Sequence, residues 1–311
     1  MRIFDLHADI GYDILNRRLK GQKGVLRGHH LPKLLSGEVM GVGMVSFFEG
    51  HENLKHAQAM VGFLHDEIRL NADLCVPYLK GDMHPSKINA CMTIEGMCFI
   101  HRKPEETLQW LYDQGVRIAS LTWNDENALA TGVHGNPSRG LTALGKRAIC
   151  KMNDLNMIID VSHTNEKSFW DILAYSKKPV IATHSNSRVL ANVERNLTDQ
   201  QVKALMAQGG LIGLVAARKF VSSEEALQNA KTLAQHAQRY KMLGSIDQIA
   251  IGFDYMDYLE GAYGRKAMTH DLEDATMSQN LVKALLESGF NETEVEKITW
   301  FNAVNFLKAQ L

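Results

Sequence analysis

The sequence carries almost no surplus of charge: Lys+Arg total 34 against Asp+Glu 35, a formal net charge of −1 at pH 7, and no long run of either sign interrupts the chain. Nucleic acids and anionic membrane surfaces are held by clustered lysine and arginine, so neither is expected as a partner. Cysteine is scarce. Cys75, Cys91, Cys98 and Cys150 form no CxxC pair and lie mostly within apolar segments, which points to buried free thiols in a reducing compartment. No apolar run approaches the roughly 20 residues that a membrane-spanning helix needs. The first apolar run begins within a few residues of Met1 and leaves no room for a secretory signal, so a cytoplasmic location is expected. Low-complexity segments and linkers are also missing. The 311 residues are therefore read as one domain, 1–311, near the upper size for a single hydrophobic core, and a hydrophobic content of 45% suffices to build one.

What the sequence does have is a series of apolar runs that end in ionisable residues. The chain starts Ile3-Phe4-Asp5-Leu6-His7-Ala8-Asp9. Side chains alternate along an extended strand, so Asp5, His7 and Asp9 are expected on one face. A neutral imidazole and a carboxylate two residues apart can reach one divalent ion, and both suit zinc. Taken alone, the motif also fits a solvated polar edge strand. Further runs of strand length occur at 39–48, 88–94, 116–123, 157–162, 179–183, 210–216 and 248–253. Helical patterns occupy 51–73, 104–114, 141–155, 166–175, 201–208, 222–240, 270–288 and 292–309; Thr198 and Gln201 have the spacing of a capping box. Residues 12–24 read as a helix or long loop, 27–32 as a turn, and 124–140 as a polar, glycine-rich loop of the long kind that carries function.

Eight apolar runs separated mostly by helices predict an α/β fold, a (β/α)8 TIM-like barrel. A doubly wound open sheet is the alternative, but the first turn lacks a GxGxxG and the ionisable residues are spread over many strand ends. A barrel makes those ends converge. His7 and Asp9 close the first strand, Glu95 follows the third, His163 the fifth, His184 the sixth and Asp254 the eighth. All lie at carboxyl ends, the face on which barrel active sites are built. Buried ionisable groups are costly unless paired or bound to metal, and three histidines with two or three acids suit two divalent ions bridged by one carboxylate.

The segments DLHAD at 5–9, IEG at 94–96, LTWNDENALATG at 121–132, GLTALGK at 140–146, IDVSHT at 159–164, THSNSR at 183–188 and ERNLTD at 194–199 together resemble the membrane dipeptidase family, the renal-type dipeptidases with two zinc ions. The resemblance runs in order from residue 3 to about 257. It implies that His7 and Asp9 hold one zinc, His163 and His184 the other, and that Glu95 bridges them. It further implies that Arg195 takes the free carboxylate of a small dipeptide substrate and that Asp254 stands near the substrate amine on the proton-transfer path. A D-residue on the carboxyl side and a homodimer are implied too. Without the resemblance, Arg195 reads as a surface residue capping the Thr198 turn and Asp254 as a turn aspartate.

The implied roles have a physical basis. Two divalent ions about 3.5–4 Å apart can hold a bridging water and lower its pKa from 15.7 to near 7, so hydroxide is available to attack an amide. A planar guanidinium can grip a carboxylate through two parallel hydrogen bonds. Asp5 is expected to support the ligands through a hydrogen bond rather than ligate. One position departs from the family: where its animal members carry a histidine that stabilises the oxyanion, the LT motif here continues with Trp123. An indole N–H donates one hydrogen bond and carries no positive charge. Trp123 is thus expected to wall the substrate pocket, with either His134 from the glycine-rich loop or the metal itself taking over the oxyanion. The departure leaves open an amidohydrolase acting on another small amide or lactone and, in a different class, a non-catalytic metal-binding protein.

Overall fold

The apolar runs are almost wholly buried. Val39–Phe47 has a single partly exposed residue, Met40, as required of a strand covered on both faces. The computed structural model describes residues 1–259 and 264–311. Its strands are β1 (Ile3–Ala8), β2 (Val39–Phe47), β3 (Cys75–Pro77), β4 (Ile88–Glu95), β5 (Val116–Ser120), β6 (Ile158–Asp160), β7 (Ile212–Leu214) and β8 (Ile249–Ile251), all paired in parallel. They lie in the order β6-β5-β4-β2-β1-β8-β7, with the short β3 beside the start of β4 as a strand the sequence did not announce. The sheet ends meet through the sixth apolar run: Asp160 pairs with Ile181 and Ala182 with Ile212. The sheet is thereby curled into the expected α/β barrel.

The sixth run joins by only these two bridges for a reason. Pro179 has no N–H to donate, and the Thr183 N–H goes to Asp160 Oδ1 at 3.0 Å rather than to a neighbouring backbone. The same oxygen takes the Ser162 N–H at 2.9 Å, which ends β6 as well. Inside the barrel Phe4, Leu6, Cys91, Ile118, Ile158, Ile181 and Ala250 pack against Trp300, Ala303 and Leu307 of the chain's last helical segment, closing the amino-terminal mouth with apolar side chains. Polar side chains are left the opposite end.

Three local expectations fail, and one of them is the helix expected at 270–288, whose α-helical part is only Gln279–Glu287. Residues 27–32 are helical rather than a turn, because Pro32 sits in the first turn of Leu31–Ser36, where its missing N–H has no partner to lose. The expected helix 222–240 is broken: Asn229 caps a new helix, Ala230–Leu243, by accepting from the Thr232 N–H. The capping box at Thr198 and Gln201 forms as its spacing predicts. Among the described residues no helix is long and apolar enough to cross a membrane.

Helix Ala230–Leu243 also carries a fully buried histidine. His236 Nδ1 accepts from the Ser187 N–H at 3.0 Å and Nε2 donates to Val221 O at 2.9 Å, tying the loop after His184 to the barrel's outer layer. Burial holds this imidazole down to about 4. Below its ordinary value near 6.5 the unfolded chain therefore binds a proton that the native protein does not. Stability present above that pH is lost as pH falls, by roughly 3 kcal/mol on reaching about pH 4. His236→Gln should flatten this part of the profile when urea midpoints at about pH 7 and about pH 4.5 are compared. An unchanged acid slope in the variant would assign the effect elsewhere.

Candidate active site

At the polar end of the barrel five of the strand ends deliver six side chains to a common point. His7 comes from the end of β1, Asp9 from the junction with helix Ile10–Leu19, Glu95 from the last residue of β4, His163 and Asp254 from the turns after β6 and β8, and His184 from the sixth run. All six are buried. His7 Nε2 lies 3.5 Å from Asp9 Oδ1, 3.7 Å from Glu95 Oε2 and 4.0 Å from Asp254 Oδ1. The other Glu95 oxygen, Oε1, lies 2.9 Å from His163 Nε2 and 3.3 Å from His184 Nε2. Glu95 thus faces two groups that could hold an ion, His7 with Asp9 on one side and His163 with His184 on the other.

The donor set fits divalent ions. His163 Nδ1 donates to Asn124 Oδ1 at 2.8 Å, which leaves a lone pair on Nε2. Its approach to Glu95 Oε1 therefore sets two acceptors face to face, and a cation between them is what relieves the contact. His7 Nε2, Asp9 Oδ1 and Glu95 Oε1 are buried and without a hydrogen-bond partner. Burial opposes charge on His7, yet the Glu95 and Asp9 carboxylates outweigh it and hold the imidazole well above its usual range. Burial likewise opposes charge on Glu95, and His163 and His7 hold it well below the carboxylate range. The pocket attracts positive charge to that spot.

Two backbone positions are strained. His163 (φ 66°) and Asp254 (φ 60°) adopt the left-handed conformation that most side chains avoid, and such strain collects at functional sites. Asp254 is held there by its N–H, which donates to His7 O at 3.0 Å. Burial, with the Asp9 and Glu95 carboxylates beside it, raises Asp254 well above the usual carboxylate range. Arg195 is buried, not a surface cap. Its Nη1 donates to Ser185 Oγ and its Nη2 to His184 O, both at 2.9 Å, while Nε has no partner. Among the described residues no carboxylate lies within ion-pair distance of it. Its loop is braced by Asn196, whose Nδ2 donates to Ala191 O and Phe220 O at 2.9 Å.

Residues 1–310 match the sequence family of membrane dipeptidases, peptidase family M19. The chain belongs to the membrane dipeptidase family. It is therefore a metal-dependent dipeptidase, a hydrolase acting on peptide bonds. This dipeptidase is 33% identical over 210 residues to an uncharacterized protein in the pqqA 5′ region of Klebsiella pneumoniae, covering 65% of this chain and 74% of that protein. It is 27% identical over 231 residues to an uncharacterized dipeptidase of Schizosaccharomyces pombe, covering 71% of this chain and 53% of that one. Its fold is similar to that of a metallo peptidase from Rhodobacter sphaeroides solved with a phosphinate mimic of L-Ala-D-Ala, with TM-score 0.87, 22% identity and coverage of 100% and 99% of the two chains. An amidohydrolase from Pseudomonas aeruginosa matches with TM-score 0.79 at 18% identity, over 99% of this chain and 96% of that one.

The remaining positions of the dipeptidase divide. Trp123 is half-buried, its ring 4.9 Å from that of Phe47 and 6.2 Å from that of His163, so it stands beside the ligand cluster. His134 is exposed; its N–H donates to Asn124 O, which keeps its backbone near the site while no contact joins its ring to the cluster. Asp5 does not bond the His7 imidazole. Its Oδ1 accepts the backbone N–H groups of His7 and Phe253 at 3.2 and 2.8 Å. The strict alternation expected for Asp5, His7 and Asp9 is also interrupted, because the β1–β2 pairing shifts between Asp5 and Ala8. Asn124, Thr183 and Ser185 touch the candidate ligands or Arg195, Asp160 holds Thr183, and all four escaped the sequence reading; the signal was their place in the motifs beside Trp123, Ser162 and His184.

Proposed function

We propose that this dipeptidase cleaves dipeptides that end in a free carboxylate, and that two divalent ions, zinc by their donor set, are held by His7 and Asp9 on one side, His163 and His184 on the other, with Glu95 between. The observation that carries this reading is Arg195, a buried guanidinium with no carboxylate partner among the described residues, anchored through His184 O beside the candidate ligand cluster. An unpaired buried charge is costly, and a substrate carboxylate is the partner that relieves it. When bound, a pair of divalent ions supplies water of lowered pKa and polarises a carbonyl oxygen. The protein's own groups do the rest. Arg195 Nε and its free Nη hydrogens grip the carboxylate and set the length of substrate that fits. Asp254, raised by burial and by Asp9 and Glu95, can hold a proton and pass it to the leaving amine, help worth about 10²–10⁴-fold. Trp123 walls the pocket and His134 stands at its rim.

The Rhodobacter sphaeroides peptidase was solved with a mimic of L-Ala-D-Ala, which supports extending the substrate range here to a D-residue on the carboxyl side. Residues 1–311 are read as one hydrolase unit. The four cysteines are all free, which supports the cytoplasm as its compartment. The test is a hydrolysis screen over L,L and L,D dipeptides with metal analysis of the same sample. About two ions per chain and turnover confined to substrates with a free carboxyl group are expected. Turnover that survives complete chelation, or equal turnover of amidated dipeptides, would overturn the proposal.

A further inference from the structure

One contact is shared by both halves of the ligand cluster. Thr183 Oγ1 lies 3.2 Å from His7 Nδ1, 2.8 Å from His184 Nδ1 and 2.5 Å from Asp160 Oδ2. Asp160 Oδ1 is already taken by the backbone N–H groups of Ser162 and Thr183, so Oδ2 is the oxygen left for the hydroxyl. A carboxylate only accepts, and a hydroxyl has one proton and two lone pairs. With that proton committed to Asp160, Thr183 can only accept from the two imidazoles. Each must then carry its proton on Nδ1 and turn the Nε2 lone pair into the cluster. Ser162 Oγ is the more distant neighbour at 3.4 Å and itself accepts the His184 N–H at 3.3 Å.

All five side chains are buried. His7, Asp160 and His184 could by themselves form a third ligand group, but the Thr183 hydroxyl already stands among them. The backbone is pinned as well: a Cβ on Gly213 or on Gly252 would lie 1.9 Å from the Thr183 carbonyl oxygen, so the two following strands close on this residue as only glycine allows.

We infer that Thr183, its proton held by Asp160, is the positioning residue that sets the tautomers of His7 and His184 together and so couples the two halves of the metal centre. The inference rests on the ligand assignment proposed above. It makes two variants behave differently. Thr183→Val keeps the shape and removes the acceptor, so both imidazoles lose orientation and both ions bind about 10–100-fold more weakly, as loss of a partner to a ligating histidine does. In Asp160→Asn the amide oxygen must stay on the two backbone N–H groups, which leaves the NH₂ facing Thr183. The hydroxyl then donates to one imidazole and forces its proton onto Nε2, so one ion is lost and the other kept.

The experiment is a chelator-competition titration of zinc on wild type, Thr183→Val, Thr183→Ser and Asp160→Asn, with long-range ¹H–¹⁵N spectra of the metal-free proteins. Weakening of both ions in Thr183→Val, restored affinity in Thr183→Ser and Nδ1–H signatures for His7 and His184 in the wild type are expected. Unchanged affinity for both ions in Thr183→Val, or an Nδ1 that carries no proton on either histidine in the wild type, overturns the inference. A wild type that takes up no zinc defeats the ligand assignment instead, and the spectra still report the tautomers.

Discussion

Replacing Glu95 with glutamine is expected to abolish dipeptide hydrolysis, lowering kcat/KM by about 10⁴-fold or more, the scale seen when a group that acts as a unit with its neighbours is removed. The reason lies in its two oxygens. Oε2 faces His7 at 3.7 Å, and Oε1 faces His163 and His184 at 2.9 and 3.3 Å. Either half has other donors of its own, but among the described candidate ligands Glu95 alone faces both. A glutamine keeps the volume, removes the charge, and offers an NH₂ to one side where a ligand oxygen is needed. Metal content should fall below about two ions per chain in the same sample, while far-UV circular dichroism stays that of the wild type. Full activity in Glu95→Gln or Glu95→Ala would sink the assignment of this residue.

The second large effect is expected at Arg195. Breaking a buried charge pair by removing one partner costs about 3–5 kcal/mol, so Arg195→Met should raise KM for dipeptides by about 10²–10³-fold. For C-terminally amidated or otherwise neutral amides, which offer nothing for the guanidinium to hold, the change should be near zero. Arg195→Lys should not rescue. An ammonium on a flexible stem cannot hold Ser185 Oγ and His184 O and still present a planar fork to a carboxylate. The comparison separates a carboxylate-directed peptidase from an amidohydrolase of neutral substrates. Equal losses on acid and amide would mean that Arg195 braces the His184 loop rather than binding substrate.

Asp254 and Arg195 show how differently the residues reveal themselves. Each had an ordinary reading as a loop residue until the resemblance of seven short segments gave it a role. The structure then removed the ordinary readings physically: Arg195 is buried with no carboxylate against it among the described residues, and Asp254 is held in a strained turn against His7 O. The turn expected at 27–32 and the helix expected at 222–240 failed because local composition weighs glycine and proline without knowing where a cap will form. Pro32 belongs to a helix start and Asn229 begins a new helix.

By itself the sequence determined the strand-and-helix alternation of the barrel and the carriage of His7, Glu95, His163, His184 and Asp254 at strand ends, because burial periodicity and chain order are local properties. Only the tertiary structure decided what orients those side chains. Asn124 reaches His163, and the Thr183 hydroxyl reaches His7 from 176 residues away along the chain. Such partners are set by how parallel strands close into a ring, and one threonine before a histidine looks the same in any strand until that ring is formed.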